Sequence, residues 1–201
     1  MQVIKDIEQG SQEWLQMRLG VATASNFDKI ITSTGVESKA LKDYAFELAS
    51  DSLLTEPEVG FQSEAMIRGN ELEEEARSYY SFVTDNKVEE VTFIKKDNIG
   101  YSPDGLIGDN GLIEIKCPLK KNHLKYLIDN KLPTKYKAQV QGGLYISQRE
   151  YCDFVSYHPL FKDEKKMLVI RVERDEEFIK KLSDLLIKTI ELKNSLLTQL
   201  Q

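Results

Sequence analysis

The stretch 102–118, "SPDGLIGDNGLIEIKCP", places Asp104, Glu114 and Lys116 in what otherwise reads as a buried hairpin. An unpaired charge inside apolar packing is costly, so these three side chains need a reason to be there. In "GLIEIKC" successive side chains alternate across a strand. Ile113, Ile115 and Cys117 face one way, toward a core. Glu114 and Lys116 face the other way together, roughly 7 Å apart at their Cα atoms, and so can line a groove on one side of a sheet. Asp104 belongs to the preceding strand, joined through "GDNG". A two-residue turn at Asp109–Asn110 sets Asp104 opposite Ile115 and therefore on the wrong face. A turn with one extra residue, or a kink at "SPDG", moves it beside Glu114. Pro103 and Gly105 favour such an irregularity, so a bulge or break is expected there.

Two carboxylates at one point repel unless a cation sits between them. Oxygen ligands select a hard metal, most naturally Mg²⁺ with waters in the remaining positions and Mn²⁺ as the alternative. A lysine two residues after the second acid can orient a water or offset charge on a phosphorus atom. This is equipment for hydrolysing a phosphodiester. Glu-x-Lys by itself carries no information, since it occurs four times in the chain, at 37–39, 114–116, 164–166 and 191–193. Only the copy at 114 has an apolar middle residue, lies in an apolar strand and follows an acid in a turn-prone hairpin. The bland reading is a surface salt bridge between Glu114 and Lys116.

Outward from the hairpin, residues 1–84 read as mostly helical. Ser11 is an N-cap for "QEWLQMRLG", which Gly20 ends, and Thr23 or Ser25 caps a short helix in "TASNFDKII". Longer helices are expected over 38–54 and 61–83, the second with Leu72, Ala76, Tyr79, Tyr80 and Val83 on one face. The aromatic run 79–82 reads as core, and Trp14 as an anchor of the helical part. From Val88 the pattern changes to short strands: "VEEVTFIKK", "IGYSPDGLIG", "GLIEIKC", "YCDFVSYH" and "KKMLVIRVE". Helices fill 119–130 and 133–148, and an amphipathic helix over 175–199 presents Phe178, Leu182, Leu185, Leu186 and Thr189. This order gives an α/β or α+β architecture with one mixed central sheet. The length suits a single domain, mainly helical over 1–84 and sheet-containing over 85–201.

The net charge of −6 argues against a nucleic-acid binder on its own. The charge is uneven, however. Between Lys116 and Lys137 there are seven lysines and one acid, Asp129, which keeps a polyanionic ligand open against the plainer reading of a solvated helix and loop. Cys117 and Cys152 stand apart in apolar surroundings, as reduced thiols do, and cannot build a four-cysteine metal site. His123 and His158 lack a partner at metal-ligand spacing. There is no apolar run long enough to span a membrane, and the start carries no signal-peptide pattern, so a cytoplasmic protein is expected.

The order Pro103-Asp104, Glu114, Ile115, Lys116 has the form of the PD-(D/E)xK nuclease signature. More closely, the chain resembles the phage lambda exonuclease family of viral-type recombination nucleases. The resemblance rests on Trp14 with "RLGVATAS" (18–25), "RGNELEEEAR" (68–77), "SPDGL" (102–106), "GLIEIKCP" (111–118) and "AQVQGGLYIS" (138–147). It implies a restriction-endonuclease-like core, a central mixed sheet flanked by helices with an N-terminal helical region. It also implies that Asp104, Glu114 and the main-chain carbonyl of Ile115 hold Mg²⁺, and that Lys116 assists the attacking water. By the same resemblance Glu73 joins from a helix through a second metal or a water, a choice over Glu74 and Glu75 that depends on the match alone. Gln141 joins from the helix after the hairpin, and Arg18, Ser25 and Ser102 bind a terminal 5′-phosphate. Gly142 and Gly143 are costly inside a helix unless something packs closely there, such as the active-site strand.

The activity implied is Mg²⁺-dependent 5′→3′ digestion of double-stranded DNA ends to mononucleotides, leaving 3′ overhangs. A homotrimeric ring, a single-strand-annealing recombinase as partner and a phage or prophage origin come with it. Two rivals use the same residues: a restriction- or repair-type endonuclease, and a catalytically silent DNA-binding subunit.

Overall fold

The computed structural model describes residues 1–58 and 63–200. In chain order it contains β1 (Gln2–Ile4), α1 (Gln12–Arg18), β2 (Ala22–Thr23), α2 (Leu41–Asp51), α3 (Glu64–Thr84), β3 (Val88–Glu89), β4 (Phe93–Lys96), β5 (Ile99–Tyr101), β6 (Gly105–Ile107), β7 (Gly111–Lys116), α4 (Lys120–Asp129), α5 (Lys137–Ser147), β8 (Tyr151–Tyr157), β9 (Met167–Glu173) and α6 (Glu176–Thr198). Short 3₁₀ turns occupy Ala24–Lys29, Thr134–Tyr136 and Asp163–Lys165. The expected start of the third helix at 61 lies outside the described residues. Among the described residues no helix is long and apolar enough to cross a membrane.

The strands form two mixed sheets where one was expected: a four-stranded sheet in the order β1-β4-β5-β2 and a five-stranded central sheet in the order β3-β6-β7-β8-β9. The run 88–96 is two strands, one in each sheet, because the chain bends at Val91–Thr92. The Thr92 hydroxyl is spent on the carbonyls of Lys5 and Ile7, at 3.3 and 2.5 Å. The chain crosses between the sheets again at Ser102–Asp104, where Pro103 supplies no ladder donor. β1 and β2, inside the part expected to be helical, are too short to show a period and exist by pairing with β4 and β5.

The β6–β7 hairpin turns through Gly108, Asp109 and Asn110, with Gly108 at φ +49°. The loop has the extra residue, so the register pairs Ile107 with Gly111 and Gly105 with Ile113. Continued by one residue, that register sets Asp104 against Glu114. Pairing nevertheless stops at Gly105, and both irregularities weighed from sequence are present together.

Both faces of β7 are covered. Ile113 and Ile115 pack with Ala76, Tyr80, Val155 and Tyr157 in a core beneath α3. Leu112 enters the larger core with Val140, Leu144, Phe178, Leu182 and Leu186 from α5 and α6. Glu114 is on the Leu112 face and only 1% exposed, so it lies under α5 and not in an open groove. α5 fits because of its glycines. A Cβ on Gly142 would come within 2.3 Å of the Phe27 ring, and one on Gly143 within 2.7 Å of Tyr101. The close neighbours are therefore these two rings, not β7 itself. On α3, Ala76 and Tyr80 are buried as expected, whereas Phe82 is 83% exposed and lies outside the core. α6 buries Phe178, Leu182, Leu186 and Thr189, with Asp175 as N-cap accepting from the Phe178 amide. Both cysteines are free.

Candidate active site

Asp104, Glu114, Lys116 and Glu73 come together where β6 ends against β7 and α3 crosses. Asp104 sits past the last β6 pair, and its Oδ2 accepts from the Ile115 amide at 2.6 Å, taking the place of a strand partner. Glu114 is held by three donors. Tyr101 Oη donates to Oε2 at 2.7 Å, and Lys116 Nζ and Gln139 Nε2 both donate to Oε1 at 2.5 Å. Glu73 accepts from Arg77 Nη2 at 2.7 Å, one helical turn away, while Arg77 Nε donates to the Asp104 main-chain oxygen at 2.9 Å. Arg77 thus ties α3 to the break between the sheets. Among the three acids that the sequence left open, Glu74 is exposed and Glu75 accepts from Tyr157, which leaves Glu73 facing the site.

The electrostatics are those of a site short of positive charge. Burial, and next the Glu114 charge, raise the Asp104 carboxyl well above the usual carboxylate range, against the pull of Lys116. Burial also raises Glu73, with Arg77 opposing it. For Lys116, burial works against the ammonium, but the Glu114 and Asp104 carboxylates outweigh it and raise its pKa. Among the described residues no three His, Cys, Asp or Glu side chains form a metal cluster. The donor set shown is two desolvated carboxylates, Asp104 and Glu114, which fits Mg²⁺, an ion that takes one or two carboxylates and keeps several waters of its own.

A second group adjoins the first. Trp14, Arg18, Thr23, Ala24, Ser25, Tyr101, Ser102 and Gln139 line a cavity of about 180 Å³. Arg18 lies over the Trp14 ring, 4.0 Å from its centroid. Its Nη1 donates to Ser102 Oγ at 3.2 Å and its Nη2 to Thr23 Oγ1 at 3.4 Å. Thr23 Oγ1 in turn lies 3.3 Å from Ser25 Oγ. Burial lowers the Arg18 pKa to about 10, and among the described residues its hydrogen bonds go to the neutral hydroxyls of Ser102 and Thr23. A desolvated guanidinium ringed by hydroxyls, at the start of a helical turn, has the donors to take an anion. Gln139 joins this cavity to Glu114.

Of the residues singled out from sequence, Asp104, Glu114, Lys116 and Glu73 converge, and Arg18, Ser25 and Ser102 line the cavity. Gln141 does not join them. Its Oε1 accepts from the Asp175 amide at 2.8 Å and its Nε2 donates to the Glu173 carbonyl at 2.9 Å, which ties α5 to the turn before α6. Residues two apart on a helix point to nearly opposite sides, so Gln139, not Gln141, reaches the site. Trp14 forms a cavity wall in addition to anchoring α1. Tyr101 and Arg77 carried no sequence signal for their roles. His123 is structural: Nε2–H donates to the Lys165 carbonyl and Nδ1 accepts from Ser156, both at 2.8 Å.

This arrangement has relatives. Residues 13–150 match the family described as a YqaJ-like viral recombinase domain. LHK-Exo in complex with dAMP is 33% identical, with 94% of this chain and 96% of that one covered at a TM-score of 0.85. The alkaline exonuclease LHK-Exo from Laribacter hongkongensis is also 33% identical, with 94% and 97% covered and a TM-score of 0.81. A phage-related exonuclease from Haemophilus somnus 129PT, 15% identical over 90% of this chain and 96% of that one, has a TM-score of 0.72 and shares the fold. No curated protein matches. The chain thus has a restriction-endonuclease-like fold, is a nuclease of the exonuclease type, and belongs to the YqaJ-like viral recombinase domain family.

Proposed function

We propose that this nuclease digests double-stranded DNA from its ends in the 5′→3′ direction, in a Mg²⁺-dependent reaction that releases mononucleotides and leaves 3′ overhangs. The observation that carries the reading is the anion cavity around Arg18, which ends beside the carboxylate cluster and is linked to it through Gln139. An exonuclease needs such a stop: a terminal phosphate held in a pocket sets the next phosphodiester at the reactive groups.

Asp104, Glu114 and the Ile115 carbonyl would hold the metal. The Ile115 amide points to the edge of β7 that β6 leaves open, and in a strand a residue's carbonyl points the same way as its amide. When bound there, Mg²⁺ or Mn²⁺ supplies charge neutralisation and Lewis-acid activation at the phosphate. Arg18, Ser25 and Ser102 bind the terminal 5′-phosphate through charge-assisted hydrogen bonds. Lys116, kept protonated, orients the attacking water or offsets charge on the phosphate oxygens. Water attacks phosphorus in line, the bond to the 3′-oxygen breaks, and the strand is shortened by one nucleotide. Glu73, from α3, completes the acidic side of the site. A ring-shaped homotrimer with an inward-facing basic channel would reconcile DNA binding with the acidic chain. A single-strand-annealing recombinase, in a phage- or prophage-bearing bacterial cytoplasm, would take up the overhang.

Digestion of a linear duplex labelled at either 5′ or 3′ end, with and without Mg²⁺, tests the reading. The expected result is early release of the 5′ label as a mononucleotide, only with metal. Cutting of a closed circular duplex would instead favour an endonuclease. Arg18→Ala is expected to reduce the rate on 5′-phosphorylated ends by about 10- to 100-fold, the worth of one or two charge-assisted hydrogen bonds, and to leave the slower rate on 5′-hydroxyl ends near its wild-type value. If wild type digests the two kinds of end equally fast, Arg18 has no such role.

A further inference from the structure

We infer that Lys135 and the outward face of α4 form a track for the phosphate backbone of the duplex leading into the site, an inference that rests on the DNA reading above. Lys116 Nζ lies 5.7 Å from the Tyr136 ring centroid, and Lys135 Nζ lies 4.6 Å from the same ring. Tyr136 packs 5.2 Å from Phe154 of β8, and Tyr126 of α4 packs on that same Phe154 at 6.4 Å. A continuous set of contacts therefore runs from the carboxylate cluster through Lys116, Tyr136 and Phe154 to Tyr126 of α4, with Lys135 on the same Tyr136 ring.

α4 turns His123 and Tyr126 inward. On the opposite side Lys121, Leu124, Lys125 and Ile128 fall at i, i+3, i+4 and i+7, all exposed, so two lysines share the outward stripe. Within the basic segment, Lys116 pairs with Glu114, and Lys137 with Asp175 at 3.0 Å. Among the described residues, Lys120, Lys121, Lys125, Lys131 and Lys135 have no carboxylate in ion-pair range, although acids outnumber bases in the chain. Elsewhere Lys5, Lys181 and Lys188 are each paired with a glutamate, while Lys39, Lys42, Lys87, Lys162, Lys165 and Lys180 are exposed with no carboxylate in ion-pair range among the described residues, so what sets this segment apart is the density of its lysines around a single acid. A dense run of unpaired ammonium groups that starts beside the reactive cluster complements a polyanion with regularly spaced charges. Lys135 differs from the α4 lysines in being steered by an aromatic face, so its contact falls on a phosphate close to the scissile one.

The test is binding of a fluorescein-labelled, 5′-phosphorylated linear duplex in EDTA, followed by anisotropy between 50 and 200 mM salt, for wild type, Lys135→Ala, Lys135→Arg, and the double variant Lys121→Ala/Lys125→Ala. Each lost phosphate contact lowers the slope of log K against log salt by about 0.9 and weakens binding about eight-fold at 0.1 M salt. Lys135→Ala should therefore lose about one unit of slope, the double variant about two, and Lys135→Arg none. Lys87→Ala, exposed at the hairpin end of β7, should keep the wild-type slope. Wild-type slopes in both lysine-deficient variants, or an equal loss in Lys87→Ala, would overturn the track. Because binding is read without metal, the two readings separate. Normal digestion with unaltered slopes removes the track alone, whereas lysine-dependent binding without digestion by wild type removes the exonuclease reading alone.

Discussion

Asp104→Asn should lower the rate of duplex digestion by at least about 10³-fold while leaving the protein folded. The substitution preserves shape. The amide oxygen of the new side chain can still accept from the Ile115 amide, which now meets Asp104 Oδ2 at 2.6 Å, and the Arg77 bond goes to the main-chain oxygen at this position, which is unchanged. What is lost is one of the two carboxylates able to hold a cation. Charge stabilisation by a bound metal is worth several kcal/mol in the transition state, and each 1.36 kcal/mol is a factor of ten, so about 10³ is a lower bound. The thermal midpoint of the metal-free protein should stay within a few degrees of wild type. The lost charge is one that burial and Glu114 already disfavour, and the hydrogen bond to Ile115 is retained. Retention of more than a tenth of wild-type activity would remove Asp104 from the site.

Lys116→Ala separates an enzyme from a silent subunit on the same fold. Lys116 is 26% exposed and its ammonium donates to Glu114 Oε1. Its removal leaves the buried Glu114 with Tyr101 and Gln139 as donors, so the expected cost in stability is modest, about 1–3 kcal/mol. The expected loss in digestion rate is about 10²- to 10³-fold, the scale seen when one preorganised donor to a charged transition state is removed. Duplex affinity in EDTA should change by less than about ten-fold, since Lys116 faces its own carboxylate and is only one charge among several. Equal, poor digestion by wild type and variant, with both binding DNA, would mean that the chain binds without cutting.

The hairpin 102–118 was legible because its information is local. Alternation in "GLIEIKC" put Glu114 and Lys116 on one face, and the need for an odd residue in "GDNG" or a kink at "SPDG" followed from parity alone; the loop of Gly108, Asp109 and Asn110 supplies the odd residue. The choice of glutamine, made for Gln141 from the resemblance, turns on which face of α5 the glycines pack. Gln139, Gly142 and Gly143 stand at i, i+3 and i+4, and the glycines mark the face pressed against Phe27 and Tyr101. Tyr101 donates to Glu114, so that face leads to the site, while Gln141 lies off it. The burial of Glu114 was not legible, because a polar residue in an alternating strand reads as solvent-facing whether or not a helix later covers it.

Apart from β1 and β2, which exist by pairing, the residues by themselves determined which segments are strands and helices, where the reactive acids and lysine sit along the chain, and that β6 and β7 need an extra turn residue or a kink. Those properties depend on side-chain alternation, helical period and turn length, all set within a few neighbours. Only the tertiary structure decided that the strands split into two sheets, that Gln139 closes the gap to Glu114, and that Arg18 meets Ser102 across 84 residues of sequence. Such pairings are decided by how strands and helices pack against one another over long separations. The energy that brings Arg18 to Ser102 is the burial of Phe27, Leu112 and Val140 in one core, and no local pattern records which side chains that burial will set together.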